Sequence, residues 1–442
     1  MRTHIFLAIV CLAGILHAQR KSKVYSYFVS QLSGDTTAIV PQKVFSAKNL
    51  EKQRQMVWSA WCEANASCSS PTLLAEPDSL LQAKPHAWNL PADLEPHAIM
   101  PYYFSAKGEK PEAGYPLFLY LHGSGPKAHE WSTGLKLAGM FKDSPSIYFI
   151  PQIPNEEGWY RWWHRSKQYA WEQLLRQALM RPYVNPDRIY IFGISEGGYG
   201  SQRLASFYAD YLAAAGPMAG GEPLMNAPAE NVGNIGFSLR TGNEDRGFYR
   251  NKLTGYVRYA LDSLERLVPG EYLHNVELIP GRGHHIDYSP TTPWLLQFER
   301  NPWPAHFIWE DYEMDGRHRD GFYNLWVHER PDAGLRTRYE VRIQDNEVNI
   351  TVDNVRYTCI ETDSIYGIQL KFSRSYTPAQ HGHITLFLNE HLVDLKRPVT
   401  VHINGQTIHK PKLRLSTSNL AHSALVYGDP RRLFPAAVEL RW

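Results

Sequence analysis

The sequence has few cysteines, little excess charge and almost no long apolar run. Its 442 residues include 4 cysteines, too few for a fold that depends on disulfide bonds. The formal net charge is only +2 and no basic block occurs, so the charge pattern indicates neither a nucleic acid nor an anionic membrane as partner. Internal repeats and low-complexity tracts are also absent, which excludes repeat arrays.

The one pronounced apolar run lies at the N-terminus. Residues 5–16 are mostly apolar, follow Arg2 and precede the small residue Ala18, an order that is typical of a secretory signal peptide cleaved after residue 18. The run is shorter than the roughly 20 residues that a membrane-spanning helix needs, so an uncleaved anchor is the less favoured alternative. No later stretch is long enough to span a membrane. We therefore expect an exported, soluble mature protein, either periplasmic or extracellular.

Removal of residues 1–18 would leave three cysteines. Cys62 and Cys68 are close enough in sequence to close a small loop through a disulfide, and two free thiols are the equal alternative. Cys359 lies in an alternating segment, so we interpret it as a buried apolar residue and not as a nucleophile.

The length of the chain predicts two domains. Residues 19–95 are punctuated by prolines, and we interpret them as an N-terminal arm of unassigned role. Residues 96–302 alternate apolar strands with helices, which predicts an α/β domain with a doubly wound, mostly parallel sheet. Residues 305–442 contain strands of alternating polarity and the hairpin signal Asn404-Gly405, which predict a separate antiparallel β-sandwich.

The clearest chemical signal is the sequence GISEGGYG at residues 193–200. It follows the apolar, β-branched residues 188–192, which predict a buried strand, and it precedes apolar residues at helical spacing. A serine between a strand and a helix, with glycines two residues away on both sides, is typical of a nucleophile elbow. Ser195 is therefore the predicted nucleophile, and a structural turn is the alternative.

A serine nucleophile needs a base and an acid that orients the base, and both should follow strands of the parallel sheet. For the acid we prefer Asp245 to Glu244, because the loop must run for a few residues before it turns back toward the serine. Capping of the next helix by both acids is the alternative. For the base we prefer His284, directly after a glycine, to His285. A structural histidine pair and a metal site are the alternatives, and no other His or Cys cluster at ligand spacing supports a metal.

The oxyanion hole is predicted at residues 122–125, HGSG, directly after an apolar strand. Its glycines allow backbone amides to approach a substrate oxygen, so we assign Gly123 and Ser124 to the oxyanion loop. The amide of Glu196 would supply the second donor. His122 is interpreted as structural, and an ordinary loop is the alternative for the whole segment.

A group of aromatic residues occupies positions 159–164, WYRWWH. If this segment overhangs the active-site crevice, Trp162 and Trp163 would stack on a sugar or phenolic ring and Arg161 would meet a carboxylate. Packing of the rings on the body of the protein is the alternative.

The order Ser195, Asp245, His284, with His-Gly upstream, resembles the α/β-hydrolase superfamily over about residues 95–300. Residues 185–198 look like the secreted esterase and prolyl-oligopeptidase-like branch, which includes feruloyl esterases and relatives of polyhydroxybutyrate depolymerases. The resemblance implies that these three residues are nucleophile, acid and base. It also implies that no metal or cofactor is required.

Two departures from that branch stand out. Glu196 follows the serine where many relatives carry Met, Tyr or Gln. The large N-terminal β-propeller of true prolyl oligopeptidases is missing, which weakens the prediction of a peptidase. The region after residue 305 is loosely similar to β-sandwich modules appended to exported bacterial hydrolases.

The expected function is that of a secreted serine hydrolase that forms an acyl-enzyme on Ser195. Its expected partner is a small-molecule or oligosaccharide ester, such as an acetyl or feruloyl ester on a polysaccharide. A serine peptidase of the same fold is the first alternative. A catalytically inert carbohydrate-binding or interaction protein is the second.

Overall fold

The computed structural model describes residues 22–68, 74–95, 98–154, 161–409 and 412–442. The predicted signal peptide, residues 1–18, lies outside these ranges, as do Trp159 and Tyr160 of the aromatic group. Within these ranges no helix is long and apolar enough to cross a membrane.

The N-terminal segment begins with two helices, α1 (Lys23–Leu32) and α2 (Leu50–Ser67). They pack through apolar side chains, and the rings of Phe28 and Trp61 meet edge to face with centroids 5.1 Å apart. Two short strands follow, β1 (Asp78–Ser79) and β2 (Pro85–Asn89).

Both short strands pair with the first long strand of the central sheet, β3 (Ile99–Lys107). The sheet therefore extends beyond the predicted lower boundary of the α/β domain at residue 96. Residues 78–89 are part of the sheet and do not form an arm that merely lies on it.

Cys62 lies within α2 and Cys68 directly follows this helix. Both are free thiols in the structure, so the disulfide that the sequence allowed is not formed. Six residues of helix separate positions by about 9 Å along the axis, which is more than the Cα distance that a disulfide bridges.

The central sheet contains nine strands in the part of the chain that the structure describes. Their order is β1-β3-β5-β4-β6-β7-β8-β9, and β2 pairs with β3 outside this path. The strands after β3 are β4 (Tyr115–Leu121), β5 (Ser146–Pro151), β6 (Val184–Ile194), β7 (Ala214–Met218), β8 (Gly236–Gly242) and β9 (His274–Ile279). All neighbours from β5 to β9 along this order are parallel, and β3 joins β5 antiparallel.

Helices cover this sheet on both faces. They are α3 (Lys127–Met140), α4 (Arg165–Leu179), α5 (Glu196–Phe207), α6 (Arg250–Leu267) and the short α7 (Thr291–Leu295). Every residue of β4, β5, β7 and β8 is buried, which explains why these strands are continuous apolar or small-residue runs. The predicted doubly wound, mostly parallel sheet is confirmed.

The C-terminal region forms two further sheets. Its elements are β10 (His306–Asp311), β11 (Gly321–Phe322), β12 (Leu325–Glu329), β13 (Arg336–Gln344), β14 (Glu347–Thr362), β15 (Gln369–Pro378), β16 (His383–Leu388), β17 (Thr400–Ile403), β18 (Gln406–His409), α8 (Thr417–Tyr427) and β19 (Ala436–Arg441). One sheet has the order β10-β13-β14-β17-β18 with β15 on β14, and the other has the order β11-β12-β16-β19.

The inner faces of the two sheets meet through aromatic rings, such as Trp309 on β10 and Phe322 on β11, stacked with centroids 5.2 Å apart. A β-sandwich is present as predicted, with two differences from the sequence-based prediction. The β14–β17 pair is parallel, and helix α8 interrupts the series of strands. The predicted hairpin is confirmed: β17 and β18 pair across Asn404 and Gly405, both with positive φ as a two-residue turn requires.

The sandwich shares a continuous apolar core and a buried ionic network with the sheet domain. Asp210, just after α5, forms ion pairs with Arg319 and Arg432 of the C-terminal region. Arg432 also pairs with Asp429 at 2.7 Å, and Arg300 pairs with the same carboxylate at 2.7 Å. These charged side chains are almost fully buried, so their mutual pairing fixes the orientation of the two regions.

Candidate active site

Ser195 occupies the sharp turn between β6 and α5. Its backbone has φ 58° and ψ −115°, a conformation that residues other than glycine rarely adopt. The turn fits because position 197 is glycine: a Cβ there would overlap the backbone carbonyl of Leu121 at the end of β4. A Cβ at Gly193 would in turn overlap the carbonyl of Gly197. Glycines at positions 193 and 197 thus permit the sharp turn that places Ser195 between β6 and α5.

The structure brings the three predicted triad residues together. Nε2 of His284 lies 3.0 Å from Oγ of Ser195, and Nδ1 of His284 lies 2.7 Å from Oδ2 of Asp245. The acid follows β8 and the histidine follows β9, so both loops open at the same edge of the sheet as the elbow. His285 is exposed and makes no comparable contact to Ser195 in the described part of the chain.

Asp245 is also held from its other side by an arginine that the sequence analysis did not identify. Arg250, at the start of α6, donates from Nε to Oδ2 at 2.8 Å and from Nη2 to Oδ1 at 2.6 Å. Burial disfavours the ionised carboxylate, but the hydrogen bonds from His284 and Arg250 and the charge of Arg250 outweigh it, so the pKa of Asp245 lies below its usual value. The acid is therefore ionised and fixed in orientation.

The predicted oxyanion loop lies against Ser195. A Cβ at Gly123 would stand 3.5 Å from Cβ of Ser195, and Ser124 lines the same cavity as the serine. The amide of Glu196 belongs to the first turn of α5, where helix amides have no acceptor within the helix.

His122 supports this loop from below. Its Nδ1 donates to the carbonyl of Gly123 at 2.7 Å, and its Nε2 accepts from the amide of Ile153 at 3.1 Å. Burial lowers the pKa of His122 to about 4, so the ring is neutral.

Trp162 is not a substrate contact, contrary to the sequence-based prediction. Its side chain is fully buried, donates from Nε1 to the carbonyl of His122 at 3.1 Å, and meets the His122 ring edge to face at 4.8 Å. A Cβ at Gly200 of α5 would collide with it. Trp162 therefore supports the predicted oxyanion loop through His122, which is the packing alternative that the sequence had left open.

The neighbouring Arg161 and Trp163 do line the cavity. The guanidinium of Arg203 lies over the Trp163 ring, 3.9 Å from its centroid, so one face of that ring is already covered. Arg203 is itself fixed by a two-point ion pair with Glu222, at 2.7 and 3.0 Å.

The side chain of Glu196, which the sequence left without a role, fixes the loop that carries Arg161. Its Oε1 accepts a hydrogen bond from the amide of Arg161 at 3.0 Å, and Arg161 has a φ of 45°. Burial raises the pKa of Glu196, and the hydrogen bond from Arg161 partly offsets this effect.

These residues surround a cavity of about 720 Å³, a volume typical of small-molecule sites. The sequence did not predict several of the residues that line this cavity, namely Tyr199, Arg203, Glu222, Phe248, Tyr366 and Ile368. Tyr199 and Arg203 follow the serine at helical spacing, so a helix projection of α5 would have found them. Nothing in the sequence points to Tyr366 and Ile368, which come from the β-sandwich.

The described residues contain no group of three or more His, Cys, Asp or Glu side chains arranged to hold a metal ion. His284 and His285 are thus not part of such a group in the described ranges. Their neighbour Asp287 instead accepts a hydrogen bond from the amide of Ser289.

A mostly parallel sheet with a serine elbow after β6, an acid after β8 and a histidine after β9 defines the α/β-hydrolase fold. The fold predicted from the order of Ser195, Asp245 and His284 is therefore confirmed.

Solved structures resemble this chain over about half of its length. No family model matches the sequence, and no curated protein matches it. Among solved structures, a thermostable esterase matches 50% of this chain and 64% of its own chain, with 21% identity and a TM-score of 0.41. The chain thus spans less than two thirds of that esterase.

Two further structures match with lower identity. The feruloyl esterase module from Clostridium thermocellum covers 51% of this chain and 94% of its own, with 14% identity and a TM-score of 0.33. The poly(3-hydroxybutyrate) depolymerase LpqC from Bordetella parapertussis covers 47% and 86%, with 13% identity and a TM-score of 0.37.

Proposed function

We propose that this protein is a serine hydrolase that cleaves carboxylic esters through an acyl-enzyme on Ser195. One observation carries the proposal: His284 lies 3.0 Å from the Ser195 hydroxyl and is oriented by a buried, ionised Asp245. This arrangement supplies a base for the hydroxyl proton and a negative charge that stabilises the protonated base.

In the first step, Nε2 of His284 takes the proton of the Ser195 hydroxyl while Oγ attacks the ester carbonyl carbon. The carbonyl oxygen becomes an oxyanion facing the amides of the Gly123–Ser124 loop and of Glu196. His284 then gives its proton to the departing alkoxide, and the acyl group remains on Ser195.

In the second step, His284 takes a proton from water, and the resulting hydroxide attacks the acyl carbon. Collapse of the second tetrahedral intermediate releases the carboxylic acid and returns the proton from His284 to Ser195. All proton transfers use the side chains described above.

The charges around the cavity favour a substrate with a neutral or anionic polar group over a cationic one. Both carboxylates that line the cavity already have partners, since Glu222 pairs with Arg203 and Glu196 accepts from the amide of Arg161. Among the described residues, no carboxylate forms an ion pair with the guanidinium of Arg161. An ester of a sugar or of a carboxylate-bearing alcohol would find a donor there.

We also propose that the protein acts outside the cytoplasm, after cleavage at residue 18. The apolar run at 5–16 between Arg2 and Ala18 supports this proposal. Expression with the native N-terminus, fractionation, and N-terminal sequencing of the mature protein will test it. Recovery of the uncleaved chain in the cytoplasm would contradict it.

The central experiment compares wild type with Ser195→Ala on p-nitrophenyl acetate. The matched control is Ser263→Ala, at a half-buried position of α6 that does not line the cavity. We expect Ser195→Ala to lower kcat by about 10⁴-fold or more with an unchanged melting temperature, because the nucleophile is lost. Ser263→Ala should behave as wild type. Undiminished turnover by Ser195→Ala would overturn the proposal.

Two further measurements separate the alternatives. A fluorophosphonate probe followed by peptide mapping should label wild type stoichiometrically at Ser195, and an unlabelled protein would instead be an inert binding module. Comparison of short peptide amides with esters tests the peptidase alternative, which would gain support from comparable rates on both.

A further inference from the structure

The wall of the catalytic cavity opposite the sheet domain comes from the β-sandwich. Strands β14 and β15 form a hairpin whose tip, residues 363–368, reaches the cavity and contributes Tyr366 and Ile368 to its lining. These two residues lie about 170 positions beyond Ser195 in the sequence. The C-terminal region is therefore in direct contact with the catalytic cavity.

We propose that Tyr366 and Ile368, together with Phe248, form an apolar subsite that binds a planar apolar group of the ester and so determines substrate specificity. This inference rests on the proposed hydrolase function. It assigns to the β-sandwich a role within the active site, in place of a separate binding module.

The hairpin is fixed to the sheet domain just before its tip. The pairing of β14 and β15 shifts register at Cys359/Glu361 and again at Glu361/Thr362, and such irregularities bend a hairpin. Glu361 at this bend accepts a hydrogen bond from Tyr256 Oη at 2.7 Å and forms an ion pair with Lys252, both on α6. Contacts on α6 thus hold the bend beside the catalytic loops.

The tip itself is preorganised. The carboxylate of Asp363 accepts hydrogen bonds from the amides of Ile365 and Tyr366, both at 2.7 Å, and of Ile368 at 2.6 Å. One side chain therefore determines the backbone path of the loop that presents Tyr366 and Ile368. A subsite that is rigid before binding loses little conformational freedom when a ligand enters.

The partner of the tip is Phe248, on the loop between Asp245 and α6. Phe248 and Tyr249 have positive φ values of 50° and 59°, an uncommon backbone conformation for bulky residues. This backbone conformation presents the Phe248 ring to Tyr366, with ring centroids 5.1 Å apart and planes tilted by 38°. The strained loop that carries the triad acid therefore also carries one half of the aromatic pair.

The character of this wall identifies the group that it binds. The Tyr366 side chain remains 58% exposed, and Ile368 is half-buried beside it, so an apolar group that covers both removes apolar surface from water. An aromatic acyl group or an aryl alcohol also gains ring-to-ring contact with Tyr366 and Phe248. The other side of the cavity carries the Arg203–Glu222 pair and Arg161, which suit the polar part of the substrate.

The test compares ethyl acetate with two aromatic esters that each differ from it in one group. Ethyl cinnamate carries an aromatic acyl group and phenyl acetate carries an aryl alcohol, and acid release is followed by pH-stat titration. For Tyr366→Ala we expect KM to rise about five- to tenfold on at least one of the two aromatic esters, with kcat and the ethyl acetate kinetics within twofold of wild type. Ile368→Ala should act in the same direction. Tyr366→Phe keeps the ring and should retain the wild-type KM.

The matched control is Ile365→Ala, since Ile365 lies in the same loop, is 73% exposed and does not line the cavity. It should leave all three esters unchanged. Equal effects of Tyr366→Ala on all esters, or no effect on any, would overturn the inference.

Direct binding keeps this inference separate from the proposed function. Calorimetric titration of wild type and Tyr366→Ala with cinnamate reports on the subsite even if no ester is hydrolysed. Binding about five- to tenfold weaker in the variant supports the subsite. Equal affinity, or an absence of cinnamate binding to wild type, would overturn it.

Discussion

Arg250 clamps the carboxylate of Asp245 with two hydrogen bonds, at 2.8 Å from Nε to Oδ2 and at 2.6 Å from Nη2 to Oδ1. The same Oδ2 accepts from Nδ1 of His284. The orientation of His284 is therefore set through Asp245 by Arg250, which lies five residues after this acid in the first turn of α6.

Replacing Arg250 by methionine should lower kcat by about 10- to 100-fold and change KM much less, because the carboxylate that orients His284 loses its fixed geometry. Steady-state kinetics on a small ester will separate the two constants. The kcat of Arg250→Lys should lie between those of wild type and Arg250→Met, since lysine keeps the charge but not the two-point geometry. Arg246→Met, at an exposed position in the same loop, is the control, and an equal loss in that variant would refute a specific role for Arg250.

The elbow depends on the absence of a side chain at position 197. Gly197→Ala should abolish activity and reduce the yield of folded protein, because the new Cβ would overlap the carbonyl of Leu121. Gly139→Ala on α3 provides the control, since a Cβ there meets no described atom within 4 Å. That substitution should leave activity intact and stabilise the protein by up to about 1 kcal/mol. Circular dichroism and thermal unfolding will distinguish the two, and an active, folded Gly197→Ala protein would contradict the prediction.

His122 should make the protein sensitive to acid. Its folded-state pKa is about 4, below the usual value of 6.5, so between these pH values the unfolded chain binds more protons than the folded chain. The stabilising contribution is complete above pH 6.5 and is lost as the pH falls toward 4, up to about 3 kcal/mol in total.

Urea unfolding of wild type and His122→Asn at pH 7.0 and 4.5 will measure this contribution. We expect the variant to lose less stability than wild type between these pH values. The exposed His285→Asn is the control and should keep the wild-type dependence. If all three proteins lose the same free energy of unfolding, His122 does not determine the acid sensitivity.

The buried ionic network should matter more for stability than an exposed ion pair. Arg432→Met leaves Asp210 and Asp429 with one arginine partner fewer each, and we expect a loss of about 3 kcal/mol in the free energy of unfolding. The control is Arg441→Met, whose partner Glu439 is largely exposed, and the expected loss is below about 1 kcal/mol. Chemical denaturation will compare them. Equal losses would mean that the network contributes no more than a surface pair.

Local sequence patterns predicted much of the sheet domain. The run at 115–121 matches β4 at both ends because a strand buried on both faces needs an unbroken apolar stretch. The apolar pattern of residues 169–180 predicts a helix, and α4 begins four residues before this pattern because its first turn buries polar side chains. Among them, Lys167 is almost fully buried and pairs with Glu95 at 2.8 Å, a contact that apolar periodicity does not reveal.

In the candidate site, too, local sequence predicted some features and missed those that depend on tertiary packing. Ser195, Asp245 and His284 each follow a strand, and parallel strands present their carboxyl ends at one edge, so sequence order was enough to group them. Trp162 was misassigned because its sequence neighbourhood does not tell which face of the segment meets α5. The role of Glu196 could not be predicted because it depends on a hydrogen bond to the amide of Arg161, which lies 35 residues earlier in the sequence.

Local sequence was sufficient to predict the doubly wound sheet, the turn at Ser195 and the order of the three predicted triad residues, because periodicity, glycine placement and strand–loop succession are local properties. The folded structure was needed to show that Arg250 clamps Asp245, that Trp162 is buried beneath the loop at residues 122–125, and that Tyr366 of the β-sandwich lines the cavity around Ser195. These relationships arise from the packing of distant segments, and the free energy of such packing depends on where the folded chain brings the surfaces together.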